Sequence, residues 1–185
     1  IIKEQQITGL AAVPPLWIQL AQLDWGQVSS LRYITSSGGA MPRSTLERLR
    51  KALPVTQIFS MYGFTEAFRS TYLAPEELGR RPDSIGKAIP NVEVLVLRED
   101  GSHCVPGEPG ELVHRGVLVA MGYWNDSEKT AMCFKPIKPC QSGLPLAEIA
   151  AWSGDTVQMD EEGFLYFIER RDAMIKTSGY RVSPT

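Results

Sequence analysis

Apolar and polar residues alternate with two different periods along this chain. Pro14-Pro15 precedes Leu16, Leu20 and Leu23, an i, i+4, i+7 spacing that predicts a helix with one apolar face. Leu31-Arg32-Tyr33-Ile34-Thr35 reads as a short strand that runs into the small-residue loop Ser36-Ser37-Gly38-Gly39-Ala40. From Pro42 to Leu53 the helical spacing returns, with Leu46, Leu49 and Leu53 on one side and Arg43, Glu47, Arg48 and Arg50 on the other. Val55 to Met61 predicts a second strand. Strand, loop, helix, strand in that order is a parallel α/β unit.

Beyond Leu78-Gly79-Arg80 the pattern changes to short strands between Gly/Pro turns. Val92 to Leu97 is rich in β-branched residues, Asp100-Gly101 turns it, and Glu111-Leu112-Val113-His114 continues as the next strand. Thr156–Met159 and Phe164–Ile168 flank Asp160-Glu161-Glu162-Gly163 as a further hairpin, and Gly143 to Pro145 reads as a surface loop. Short strands with regular turns predict an antiparallel, barrel-like sheet. The expected class is therefore α/β, mixed α+β over this stretch, divided into residues 1–78, 79–169 and 170–185.

Charge and composition narrow the function. Over 185 residues, 19 basic against 21 acidic side chains leave a net charge of −2, without the basic excess of a nucleic-acid binder. A hydrophobic share of 43% is enough for a buried core, and no apolar run is long enough for a transmembrane helix. Cys104, Cys133 and Cys140 form no Cys-x-x-Cys pair, which predicts reduced thiols and a cytoplasmic setting. His103 beside Cys104 lacks the further ligands of a metal site and follows a turn, so an exposed loop residue is expected; His114 is expected to point off a strand. The first residues carry neither an initiator Met nor a signal peptide, and both ends read as internal cuts.

Three strings carry candidate chemistry. Tyr62-Gly63-Phe64-Thr65-Glu66 follows a predicted strand, at the sheet edge where α/β folds bind ligands. Its hydroxyl can donate to phosphate and its carboxylate can hold Mg²⁺. Taken alone, it reads equally as a turn with Thr65 capping a helix. Gly38-Gly39-Ala40 lets a flat ring approach the backbone but lacks the lysine of a phosphate loop, and alone it is an ordinary loop. Trp152-Ser153-Gly154-Asp155 sets an acidic acceptor at a predicted strand start, suited to two sugar hydroxyls or simply to a turn. Arg170-Arg171-Asp172 then leads to Ile175 through Arg181, a run that is otherwise a solvated charge cluster.

In this order the strings are far more specific. Together with Gly107-Glu108-Pro109-Gly110-Glu111-Leu112 and Gly122-Tyr123-Trp124, they resemble the blocks of the adenylate-forming superfamily, which holds acyl-CoA synthetases and peptide-synthetase adenylation domains. The resemblance spans nearly the whole chain but only about a third of a full-length member. It implies that residues 1–78 end the α/β subdomain, 79–169 form the barrel-like subdomain of the large N-terminal domain, and 170–185 begin the small C-terminal domain.

By motif position, the resemblance implies that Gly38, Gly39 and Ala40 line the adenine and acyl pocket. Tyr62 would stack on adenine, Gly63 would belong to the same nucleotide-binding set, Thr65 would bond the α-phosphate and Glu66 would hold Mg²⁺. Asp155 and Arg170 would contact ribose, Asp172 would be the hinge, and Lys176 and Gly179 would reach the site for thioester formation. The substrates implied are a small carboxylic acid, ATP and coenzyme A. Glu169 departs from the family's usual Gly. The family's upstream phosphate loop and distal catalytic lysine fall outside these residues, so this stretch alone is expected to be inactive. Two other readings stand beside the ligase: an amino-acid-activating adenylation domain and a non-catalytic nucleotide-binding module. Ala40 and Phe64 favour the ligase over the former, which often has Glu and Pro there.

Overall fold

In the computed structural model, residues 1–137 and 148–170 are described in full, and 175–177 and 180–182 as backbone. The elements in chain order are β1 (Gly9–Ala12), α1 (Pro14–Leu20), β2 (Tyr33–Ser36), α2 (Arg43–Ala52), β3 (Gln57–Phe64), β4 (Ala67–Leu73), β5 (Ser84–Ala88) and β6 (Val92–Leu97). They continue with β7 (Gly110–Gly116), α3 (Ser127–Cys133), β8 (Phe134–Pro136), β9 (Ile149–Met159), β10 (Leu165–Arg170), β11 (Ile175–Thr177) and β12 (Tyr180–Val182).

The first part is the parallel unit that the pattern predicts. β1, β2 and β3 pair in parallel, with Ile34 opposite Ile58 and Ser36 opposite Ser60. α2 buries Leu46 and Leu49 against them, and Leu53 closes its end. α1 differs from expectation. It ends at Leu20, leaving Leu16 and Leu23 exposed, and Trp17 takes the inward position instead. The Trp17 indole N–H lies 3.1 Å from both the Ala12 and Thr35 carbonyls, which pins the helix onto β1 and β2.

From β3 onward, β4, β5, β10, β9, β7 and β6 join antiparallel in that spatial order, giving one ten-stranded mixed sheet with β8 on β9. A closed barrel is not formed among the described residues: the hydrogen-bonded path runs from β1 to β6 without returning on itself. The predicted hairpins at Asp100-Gly101 and Asp160–Gly163 are present. Gly143 to Pro145 lies outside the described residues.

Two main cores result. One packs Trp17, Trp25, Leu31, Ile34, Leu49 and Ile58 beneath the parallel strands, and Phe164 from the β9–β10 turn reaches into it. The other packs Phe64, Ala67, Val94, Val96, Leu112, Phe134, Val157 and Leu165, with Tyr62 and Tyr123 leaning on its rim. Arg81 ties the turn to the sheet. It lies over the Phe164 ring at 4.1 Å, pairs with Glu77 at 2.8 Å, and bonds Glu162.

Gly86 lets β4 and β5 approach. It sits at φ +89°, and a Cβ there would stand 2.0 Å from the Tyr72 carbonyl oxygen. Gly86→Ala in the full-length protein is expected to destabilise by more than the roughly 1–3 kcal/mol of a left-handed non-glycine residue, because the backbone must also move apart. Urea unfolding checks this; a loss under 1 kcal/mol by that rule contradicts the close approach.

Candidate functional site

β3 does not stop at Met61, as its pattern predicts, but runs through Tyr62 and Gly63 to Phe64. Thr65-Glu66 forms the turn and β4 returns antiparallel, so Thr65 caps no helix. The ladder shifts register between Tyr62 and Phe64. A Cβ on Gly63 would lie 2.6 Å from the Arg69 backbone nitrogen, so glycine serves close strand approach here rather than a sharp bend. Thr65 is exposed and Glu66 half-buried at the tip.

Asp155 is in the interior of β9, not at a strand start. Along this strand Ala151, Ser153, Asp155 and Val157 alternate onto the buried side. Ser153 Oγ accepts from the Asp155 amide at 3.1 Å and donates to the Leu112 carbonyl at 2.7 Å, while the Gly154 amide donates to Glu111 Oε1 at 3.1 Å. The Asp155 carboxylate, only 1% exposed, is then held from two more strands. The Tyr62 phenol donates to Oδ2 at 2.5 Å, and Arg170 Nη1 donates to Oδ1 at 3.2 Å from the position directly opposite on β10. Burial, and next the Asp155 charge, push the Tyr62 phenol well above its ordinary range, so it remains a protonated donor.

A second pair forms at the hairpin tip. The Tyr123 phenol donates to Glu66 Oε1. The Ala120 amide donates to the Glu66 main-chain oxygen at 2.9 Å, and Ala67 bridges Val119, so the segment after β7 is tied to this turn. Among the described residues no group of three or more His, Cys, Asp or Glu side chains is placed to hold a metal. Glu66 has only one oxygen engaged by Tyr123. That donor set fits a divalent cation that takes one protein carboxylate and completes its shell with phosphate oxygens and water, as Mg²⁺ usually does.

The structure brings Tyr62, Asp155 and Arg170 into direct contact, and Gly63, Thr65 and Glu66 lie on the same hairpin as Tyr62. Gly38, Gly39 and Ala40 are exposed and make no hydrogen bond to this cluster. The parallel Ser36–Ser60 register nevertheless sends their loop out at the Tyr62 end of the sheet. At its start Ser36 Oγ is buried without a partner. Lys176 lies on β11 opposite Arg181; its side chain, together with Asp172, Gly179 and Cys140, lies outside the described residues. His103 is exposed as expected. His114 is fully buried instead, with Nδ1 2.9 Å from Ser70 Oγ, and burial pushes its pKa down. Sequence reasoning did not single out Tyr123, Ser153 or the His114–Ser70 contact. The first two sit inside strings it did quote, Gly122-Tyr123-Trp124 and Ser153-Gly154-Asp155.

Residues 1–124 match the family described as AMP-binding enzyme. The chain is 31% identical to 4-coumarate–CoA ligase-like 6 of Oryza sativa subsp. japonica, over 99% of its own length and 30% of that protein. It is 35% identical to L-proline–[L-prolyl-carrier protein] ligase of Streptomyces coelicolor, over 98% of its length and 34% of that protein. Among solved structures it superposes on o-succinylbenzoate coenzyme A synthetase of Bacillus subtilis, in complex with ATP and magnesium ion, with a TM-score of 0.78. Identity there is 28%, covering 99% of this chain and 36% of that one. The chain thus spans about a third of the length of these two relatives. No helix among the described residues is long and apolar enough to cross a membrane.

The Tyr62–Asp155 contact has a pH signature. Because the folded state holds the phenol protonated above its unfolded value near 10, its contribution is complete below about pH 10 and is lost as pH rises further. Full-length wild type should therefore lose stability above pH 10 more steeply than Tyr62→Phe. Chemical unfolding between about pH 8 and 11 reads the difference, and parallel profiles would contradict the buried, charge-coupled phenol.

Proposed function

The chain belongs to the AMP-binding enzyme family, and from that premise we propose that the full-length protein is an AMP-forming acyl-CoA ligase. It joins a carboxylic acid to ATP, releasing pyrophosphate, and passes the acyl group from the adenylate to coenzyme A. What carries the reading is the meeting of Tyr62, Asp155 and Arg170, from β3, β9 and β10, at one buried carboxylate.

In this reading Asp155 accepts the ribose hydroxyls. A carboxylate has about four acceptor sites and two are used here, so the sugar can add to the pair or displace the Tyr62 phenol. The Tyr62 ring offers its face to adenine, and the Gly38-Gly39-Ala40 loop borders the same edge. Arg170 holds the buried carboxylate in orientation from the facing position on β10. Thr65 donates its hydroxyl to the α-phosphate. Attack of a carboxylate on ATP brings two anions together, and a Mg²⁺ ion at Glu66 supplies the charge neutralisation that this needs. Residues 170–185 then act as the hinge and start of the small domain, with Asp172 as pivot and Lys176 and Gly179 approaching for thioester formation.

The second reading has a carrier-protein thiol as acceptor, which the likeness to the proline–carrier ligase favours. Ala40 and Phe64 weigh toward coenzyme A, because the resemblance associates adenylation domains with other residues there.

Asp155→Asn keeps the side-chain volume but removes the charge, and is expected to weaken AMP binding by roughly 1.5–3 kcal/mol. Calorimetry that finds wild-type AMP affinity would exclude Asp155 as the sugar acceptor.

The two half-reactions should also separate. Lys176→Ala is expected to leave ATP–pyrophosphate exchange near wild type while slowing acyl transfer from preformed adenylate to coenzyme A by about 10-fold or more. Equal losses in both assays, or none in either, would remove Lys176 from the second step.

A further inference from the structure

Tyr123 takes no part in the chemistry above, yet its hydroxyl makes the hydrogen bond that engages the Glu66 carboxylate. The phenol is itself fixed on several sides. The Tyr123 amide donates to Thr130 Oγ1 at 2.9 Å, and Thr130 Oγ1 donates to the Asp126 carbonyl at 2.7 Å. The ring meets Phe134 edge-on at 5.9 Å, and Lys129 Nζ lies 4.2 Å from its centroid. The residue before it must be glycine: Gly122 has φ +143°, and a Cβ there would stand 2.7 Å from Thr130 Cγ2. α3 therefore acts as a bracket that holds one hydroxyl against one carboxylate oxygen.

Glu66 needs such a bracket. It sits on a two-residue turn, half-buried, and apart from the nearby Cys133 thiol, which feels its charge, no other hydrogen bond or ion pair engages its side chain among the described residues. An unheld glutamate spreads over several rotamers, and binding through it would cost that freedom. We propose that Tyr123 is a positioning residue whose hydroxyl locks Glu66 so that its other oxygen, Oε2, faces the divalent cation of the nucleotide complex. The proposal rests on the reading of Glu66 as the cation's carboxylate. Outer partners of metal-binding carboxylates typically change metal affinity by 10–100-fold, which sets the size of the effect.

The test uses the full-length protein and three variants: Tyr123→Phe, Glu66→Gln and the double variant. Calorimetry of ATP binding at graded Mg²⁺ gives the Mg²⁺ concentration for half-maximal binding, and AMP binding in chelator serves as the cation-free control. Tyr123→Phe keeps the ring against Phe134 and Lys129, and is expected to raise the half-saturating Mg²⁺ about 10-fold while leaving cation-free AMP binding unchanged. In the Glu66→Gln background the same change should add nothing. If Glu66→Gln raises the Mg²⁺ requirement and Tyr123→Phe does not, the positioning role is overturned and Glu66 keeps its own. If Glu66→Gln is silent, both fall. Should Tyr123→Phe also lower thermal stability, the double variant decides: independent, additive losses mean that Tyr123 only packs, and overturn the proposal.

Discussion

A carboxylate removed from water must be given partners, and at Asp155 this requirement organises the sheet. The group is almost wholly buried, where an unpaired charge would cost several kcal/mol. Its partners come from β3 and from the facing position of β10, so three strands must hold register together for the charge to be tolerated. Ser153 extends the constraint to β7 by bonding both the Asp155 amide and the Leu112 carbonyl. A site built this way is preorganised by the fold.

The tip of the β3–β4 hairpin is secured by different means. Backbone contacts from Val119 and Ala120, and the phenol of Tyr123, clamp the turn that carries Thr65 and Glu66. Beneath it, Phe64 meets the buried His114 ring at 6.4 Å, and His114 reaches Ser70 on β4. Tyr62 and Tyr123 both lean on the core that includes Leu112, Val157 and Leu165, so one apolar cluster supports the Asp155 contacts and the Glu66 turn alike.

Where an element is held by its own periodicity, the sequence shows it. α2 is amphipathic over its whole length, β6 is a run of β-branched and leucine residues, and the β9–β10 hairpin is bounded by an acidic turn. Elements held by distant partners are harder to read. β4 mixes Arg, Ser and Thr with apolar residues and is a strand because β3 and β5 flank it. Leu16 and Leu23 fit a helical face, but the loop after Leu20 turns too early for them to share it, and Trp17 finds two carbonyls instead. Gly63 resembles a breaker while marking a tight strand crossing. The site follows the same division: Tyr62, Glu66, Asp155 and Arg170 stand in recognisable strings, whereas the Tyr123–Glu66 contact joins positions 57 apart that no local pattern relates.

The register of β9 also limits how this gene can drift. β9 bulges here, with Trp152 opposite Val113, Thr156 opposite Glu111 and Gly154 between them at φ +71°, so losing or gaining one codon between Ala151 and Val157 would change the offset that puts Asp155 opposite Arg170. The ladder partner at Arg170 would then face a different residue, and the buried charge would lose both anchors at once. The turn around Asp100-Gly101 has no such duty. A change of length around Asp100-Gly101 would leave Asp155 opposite Arg170, whereas one within β9 would not.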